Sequence, residues 1–291
     1  MKKIVALLFV MVLGVVGCSQ KSNTDEPLKV AATTWVGYLP LFYAQQQGWL
    51  KEDNIQIIKM STLTEGMMLF DADKVDVVGG TQYEYSILSQ KHKRVAPLLF
   101  VDKSNGGDLI MSNRSIEQLQ HSKEIYVYLE TDSVNKLMLE DFIKKYGIQL
   151  SRLKISNKSQ VTISNLKNEI KDVILIVTYH PFDNELKKQG FKEILSTASG
   201  MDIVVIDALF AEERIIHGKE KQTTASAWYF NVSVDRLHKD PKEFFEVVKG
   251  YIPEYTYEEF LQTTSDIKWI NRTVEPELLS RLKDYNIAPH D

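Results

Sequence analysis

The residues of this chain that could do chemistry are few and scattered. Its six histidines stand at positions 92, 121, 180, 217, 238 and 290, and none shares an HExxH spacing with a glutamate. His121, His217 and His238 fall where helix ends are expected and read as solvated. No two potential ligands recur at a spacing that would hold a metal, so no metal ligand is assigned. The phosphate-cradling glycine patterns and the GxSxG elbow are absent. With a single cysteine, Cys18, the chain offers no disulfide. No catalytic residue and no cofactor is therefore expected. What does gather is a set of aromatic and hydrogen-bonding side chains placed directly after apolar runs. They are Thr34-Trp35-Val36-Gly37-Tyr38, Gly79-Gly80-Thr81-Gln82-Tyr83-Glu84, Glu130-Thr131-Asp132-Ser133 and Thr178-Tyr179-His180-Pro181. In an open α/β sheet such positions, just past the carboxyl ends of strands, are where ligands bind.

Each of these groups also has a plain structural role open to it. Trp35 and Tyr38 suit a core equally well, and Trp49, following a Gly48 stop, reads as core. Tyr83 and Glu84 fit an exposed first helical turn, where acids are favoured. Asp132 and Ser133 fit a helix N-cap, although such an end also attracts anions. Tyr179 before His180-Pro181 fits ordinary loop chemistry.

The elements that must position these loops alternate between strand-like and helix-like. Strands are expected over 28–32, 55–60, 75–78 and 95–101, with helices over 41–47, 65–72 and 81–90; Pro40 suits a first helical turn. A turn at Asn105-Gly106-Gly107 opens a second series. It contains strands over 109–111, 125–129, 153–155, 173–177, 191–194 and 203–206, with helices over 116–119, 133–146, 161–170 and 183–189. From Ala208 onward the pattern reads as almost wholly helical. Strands alternating with helices imply βαβ units, so two α/β units followed by a helical tail are expected.

The chain has 291 residues, 44% hydrophobic and 25% charged, with a formal charge of −4. One large domain or two medium ones can be built from that. The acidic balance, with no basic block, argues against nucleic acid as a partner. Residues 1–17 carry a basic start at Lys2-Lys3, an apolar run from Ile4 to Val16 and the small Gly17, the pattern of a secretory signal peptide. That run is too short for a transmembrane span. Val15-Val16-Gly17-Cys18 resembles a bacterial lipobox, which implies lipidation of Cys18 and an exported, lipid-anchored chain facing the periplasm or cell exterior. Residues 18–27 are polar and read as a flexible tether.

The lipobox, KVAATTWVGYLPLFYAQQQGWLKEDNI, VDVVGGTQYEY and VTYHPF together resemble bacterial solute-binding lipoproteins of ABC importers, in the nitrate/sulfonate/taurine/thiamine-precursor class of type 2 periplasmic binding proteins. The resemblance extends over about residues 28–207. It implies two α/β lobes, each a mixed, mainly parallel sheet flanked by helices, crossed twice near 103–109 and 204–208. Lobe one would comprise 28–106 and 208–291, with the helical tail on it, and lobe two 107–207. It further implies a monomer that closes around a small molecule and passes it to a membrane permease. The family's ligand positions fall on Trp35, Gly37 and Tyr38, on Thr81, Gln82, Tyr83 and Glu84, on Thr131, Asp132 and Ser133, and on Tyr179. One departure bears on the ligand: the four loops hold Glu84, Glu130, Asp132 and aromatic rings but no Lys or Arg. Carboxylates beside aromatic faces suit an amine or a flat nitrogenous cation better than a bare anion. Two other functions share the fold: a periplasmic sensor for a membrane receptor, and an enzyme of the thiamine-pyrimidine type. The enzyme would need a Cys-rich motif that this chain lacks.

Overall fold

The computed structural model describes residues 26–169, 171–253, 255–270 and 272–287. The expected signal peptide, Cys18 and all but the last two residues of the expected tether lie outside them. Four strands come first: β1 (Leu28–Ala32), β2 (Ile55–Lys59), β3 (Val77–Thr81) and β4 (Val95–Ser104). Five more follow: β5 (Asp108–Ser112), β6 (Ile125–Leu129), β7 (Leu153–Asn157), β8 (Ile174–Tyr179) and β9 (Lys192–Ser196). The chain then returns through β10 (Ile206–Glu212) and, later, β11 (Ile267–Trp269).

Two mixed sheets result, ordered β11-β4-β10-β3-β1-β2 and β7-β6-β8-β5-β9. Parallel pairing does not predominate in them as expected. β1 pairs parallel with β2 and β3, and β6 with β7 and β8. All pairings of β4, β5 and β10 are antiparallel. The reason lies in the crossings. The chain passes from β4 into β5 over residues 105–107 and from β9 into β10 over 197–205, and the two strands so introduced, β5 and β10, run against the βαβ direction of their sheets.

β10 also corrects the expectation of a wholly helical chain after Ala208. Ile206-Asp-Ala-Leu-Phe-Ala-Glu212 lies between β3 and β4 and is buried on both faces, so it shows no alternation to mark it as a strand. β3 likewise runs on through Gly79-Gly80, expected as a strand end. A Cβ on Gly79 would lie 3.0 Å from the Tyr38 ring, and one on Gly80 2.8 Å from Glu84 Cβ. These glycines give clearance to neighbours inside the strand rather than ending it.

Helices close both faces of the first sheet. Leu39–Gln46 carries Pro40 in its first turn, and Gly48 beyond it takes a left-handed φ of 78°. Its Leu41, Phe42 and Tyr43 share one core with β1, β2 and the tail residues Phe230, Val234 and Phe244. Leu278, Leu282 and Ile287 from the end of the tail cover the other face, with Phe70, Val78 and Phe210. In the second sheet the helix Val134–Tyr146 starts at a Ser133 cap and stops at Gly147, φ 66°. The first described residues are pinned to the long helix Glu220–Lys239. Lys219 Nζ, just before it, donates to Pro27 O at 3.0 Å and pairs with Asp76 at 2.9 Å, while Gln222 Nε2 donates to Glu26 O at 3.1 Å.

Trp49 belongs to this packing, stacked near Tyr229 and edge-on to Tyr43. Trp49→Ala should cost about 3 kcal/mol of stability by denaturant unfolding and leave ligand affinity unchanged. Trp35→Ala should do the reverse, and equal stability losses from the two would contradict the assignment.

Candidate ligand-binding site

A cavity of about 490 Å³ opens between the two sheets, against the ends of their strands. The first sheet supplies Thr33–Trp35 and Tyr38 after β1, Ser61–Thr64 after β2, and Thr81 and Asp207 from β3 and β10. The second supplies Asp108 at the start of β5 and the loops after β6, β7 and β8. Tyr255 from the tail completes the wall.

Six of the sequence-derived positions line this cavity: Trp35, Tyr38, Thr81, Asp132, Ser133 and Tyr179. Trp35 and Tyr179 meet edge to face, with centroids 6.0 Å apart, and Tyr179 meets Phe182 in the same way at 5.3 Å. Tyr38 is fully buried, and its hydroxyl donates to Asp207 Oδ1 at 2.7 Å.

The other five do not line it. Gly37 stands behind Trp35, where a Cβ would fall 1.9 Å from Asp102 Oδ2; its job is clearance. Gln82 faces the second crossing, donating from Nε2 to Val204 O and accepting from Ile206 N–H at 3.1 Å. Tyr83 packs against the core of the second sheet. Glu84 turns inward and closes a capping box, accepting from Thr81 N–H at 2.8 Å and the Thr81 hydroxyl at 2.6 Å. The Thr131 N–H donates to Asn157 Oδ1 at 3.0 Å, joining the loops after β6 and β7.

Several residues absent from the sequence-derived set also line the cavity, among them Asp108, Asn135, Gln160 and Asp207. A signal for two of them is present in the sequence. Gly-Gly-Asp108-Leu-Ile and Val-Ile-Asp207-Ala each set a carboxylate inside an apolar run, where a charge is costly unless it has a task.

The electrostatics of the site are dominated by carboxyl groups. Asp207 pairs in register with Asp102 across β10 and β4, and Asp108 follows a few residues beyond β4. Burial pushes Asp207 up to about 8, helped by the charges of Asp108 and Glu84 and opposed by the Tyr38 hydrogen bond. Burial pushes Asp108 up to about 6, against the pull of Ser104 and His180. Asp102, fully buried with neither oxygen hydrogen-bonded among the described residues, is held well above the usual carboxylate range by burial and by Asp207 and Asp108. The indole N–H of Trp35 opposes that shift by proximity, though it does not reach hydrogen-bond geometry. Burial also raises Glu130, offset in part by Gln160, whose N–H donates to Glu130 Oε1 at 3.2 Å.

No Lys or Arg lines the cavity among the described residues, and His180 is its one basic group. His180 Nδ1 lies 2.6 Å from Asp183 and Nε2 3.1 Å from Asp266. Burial disfavours its charged form, but these two carboxylates outweigh that and raise its pKa. They also absorb its charge, so it does not turn the cavity into an anion site. Among the described residues no group of three or more His, Cys, Asp or Glu side chains is arranged to hold a metal, and no helix is long and apolar enough to cross a membrane.

This architecture is the periplasmic binding protein fold. The chain superposes on the ligand-binding component of an ABC-type import system from Staphylococcus aureus, with zinc bound, at a TM-score of 0.69 and 12% identity, covering 91% of this chain and 97% of that one. It matches the periplasmic aliphatic sulphonate-binding protein of Escherichia coli at 0.71 and 8%, covering 89% and 85%. The periplasmic nitrate-binding protein of Synechocystis matches at 0.61 and 8%, covering 80% and 68%. No family model and no curated protein sequence matches the chain.

Proposed function

We propose that this chain is the solute-binding component of an ABC import system. It captures a small nitrogenous cation between its two lobes, residues 28–106 with 208–291 and residues 107–207, and presents it to a membrane permease without converting it. The observation that carries the ligand class is the lining: Asp108, Glu130, Asp132 and Asp207 with aromatic rings, and neither Lys nor Arg. An oxyanion entering there would find no Lys or Arg to pair with among the described residues, whereas an ammonium or heteroaromatic cation would meet π faces and carboxyl groups that ionise to receive it. The import role is supported by the likeness in fold to the ligand-binding component of such a system. The lobes close about the two crossings, and Cys18 carries the lipid that keeps the monomer at the membrane.

Titration calorimetry against amines, thiamine pyrimidines and alkanesulfonates tests the ligand class. Amine affinity should rise with pH from about 6 to 8, by at most about tenfold per unit, as Asp207 gives up its proton to receive the cation. Tight sulfonate binding with no amine response would sink the proposal.

A further inference from the structure

Buried polar atoms without partners are rare in folded proteins, and one in a cavity wall points to what fills the cavity. Asn135 is such a case. It is the second residue of the helix Val134–Tyr146, is 0% exposed, and lines the cavity. Its backbone N–H donates to Ser133 Oγ at 3.2 Å, and its Oδ1 accepts from the Ser133 hydroxyl at 2.9 Å. The Ser133 hydroxyl also lies 3.0 Å from Glu130 O, and with the amide oxygen on Ser133 the atom left over is the buried Nδ2. Nδ2 has no hydrogen-bond partner among the described residues. Gln160 in the same wall differs: its Nε2 donates to Val177 O at 3.4 Å and its Oε1 accepts from Thr178 at 2.8 Å. Thr178 and the strand end thus satisfy both ends of one amide, and no described residue partners Nδ2 of the other.

We infer that Asn135 contacts the ligand directly, donating from Nδ2 to an uncharged acceptor such as a hydroxyl or carbonyl oxygen or a ring nitrogen. The inference rests on the cation site proposed above and narrows its ligand to a molecule with two distinct ends. The cationic nitrogen lies toward Asp207 and Asp108, and the neutral acceptor lies at the start of the Val134–Tyr146 helix. An anionic acceptor is excluded there by Glu130 and Asp132, which line the same end of the cavity. A plain alkylamine fills the first requirement and leaves the Asn135 donor desolvated and unpaired. A site with such a donor discriminates strongly against the analogue that lacks its acceptor.

The test uses matched probes on the full chain: phenethylamine against tyramine, and benzylamine against 4-(aminomethyl)pyridine. In the wild type the acceptor-bearing member of at least one pair should bind about tenfold tighter or more. In Asn135→Ala and Asn135→Leu that preference should fall to within about twofold. Side-chain amide NMR of the wild type gives a second readout that does not depend on a variant folding. The Asn135 Nδ2 resonances should shift with the preferred probe and not with its partner. A preference that survives in both variants, no preference in either pair, or an unmoved Asn135 amide overturns the assignment while leaving the amine site standing. Binding of methanesulfonate and of no amine removes the cation site itself, and the inference with it.

Discussion

Asp207→Asn should weaken binding of a cationic ligand by about a hundredfold or more, because it removes the carboxylate that meets the charge at the floor of the cavity. The substitution keeps the shape of the side chain and an oxygen for the Tyr38 hydroxyl, so the loss is electrostatic. The same variant should change how the ligand-free protein responds to pH. Asp207 ionises near 3.9 in an unfolded chain and at about 8 in the fold. Between those values the folded state holds the additional proton, so its stability is greatest on the acid side and declines as pH rises toward 8. Asp108 adds a decline of the same sign that is complete by about 6. Asp183 works in the opposite direction. Burial would raise its pKa, but His180 and Lys187 hold it below the usual range, so its contribution is lost on strong acidification. Denaturant titrations at several pH values should therefore show a slope that flattens in Asp207→Asn. Unchanged affinity together with an unchanged slope would contradict both readings.

Gly37→Ala should destabilise the protein by about 2 kcal/mol and loosen the ligand site at the same time. The added Cβ would sit 1.9 Å from Asp102 Oδ2, 3.1 Å from its Cγ and 3.1 Å from Trp35 Cδ1. Asp102 has no room to yield, since it is fully buried within β4 and between β10 and β11. Trp35 can yield only toward the cavity it lines. The expected result is lower stability, with ligand affinity reduced as Trp35 shifts. A double-mutant cycle with Asp102→Ala separates the causes. If the clash is the reason, the double variant should be more stable than the sum of the single losses by about 1 kcal/mol or more. Simple additivity would place the effect of Gly37 elsewhere.

The alternation of strands and helices was legible because a half-covered strand and an amphipathic helix each leave a period in the sequence. β10 was not, since a strand buried on both faces has no period. Ala208-Leu-Phe-Ala-Glu212 carries a composition that suits a helix as well. Gly79-Gly80 was misread for a related reason. Glycine marks both strand ends and close approaches, and the close approach at Gly79 is to Tyr38, some forty residues away. In the site, position after a strand end located Trp35, Tyr38, Thr81, Asp132, Ser133 and Tyr179 at the cavity wall. It could not tell which way the first turn of a helix would face, so Gln82 and Glu84 turned out to point inward. Asp102, Asp108 and Asp207 escaped because their proximity comes from antiparallel register and from the crossings between sheets, and neither is a local property.

The hydrogen bonds from Lys219 and Gln222 to the carbonyls of Pro27 and Glu26 carry a mechanical consequence. For a chain anchored through its N-terminal segment, any pull from the membrane enters at these residues. It is shared at once between β1 and the long helix Glu220–Lys239. The load therefore runs into the first sheet and its helical cover, and the crossings to the second sheet lie outside its path. With such an anchor the second sheet would be the unladen half and the first the moored one.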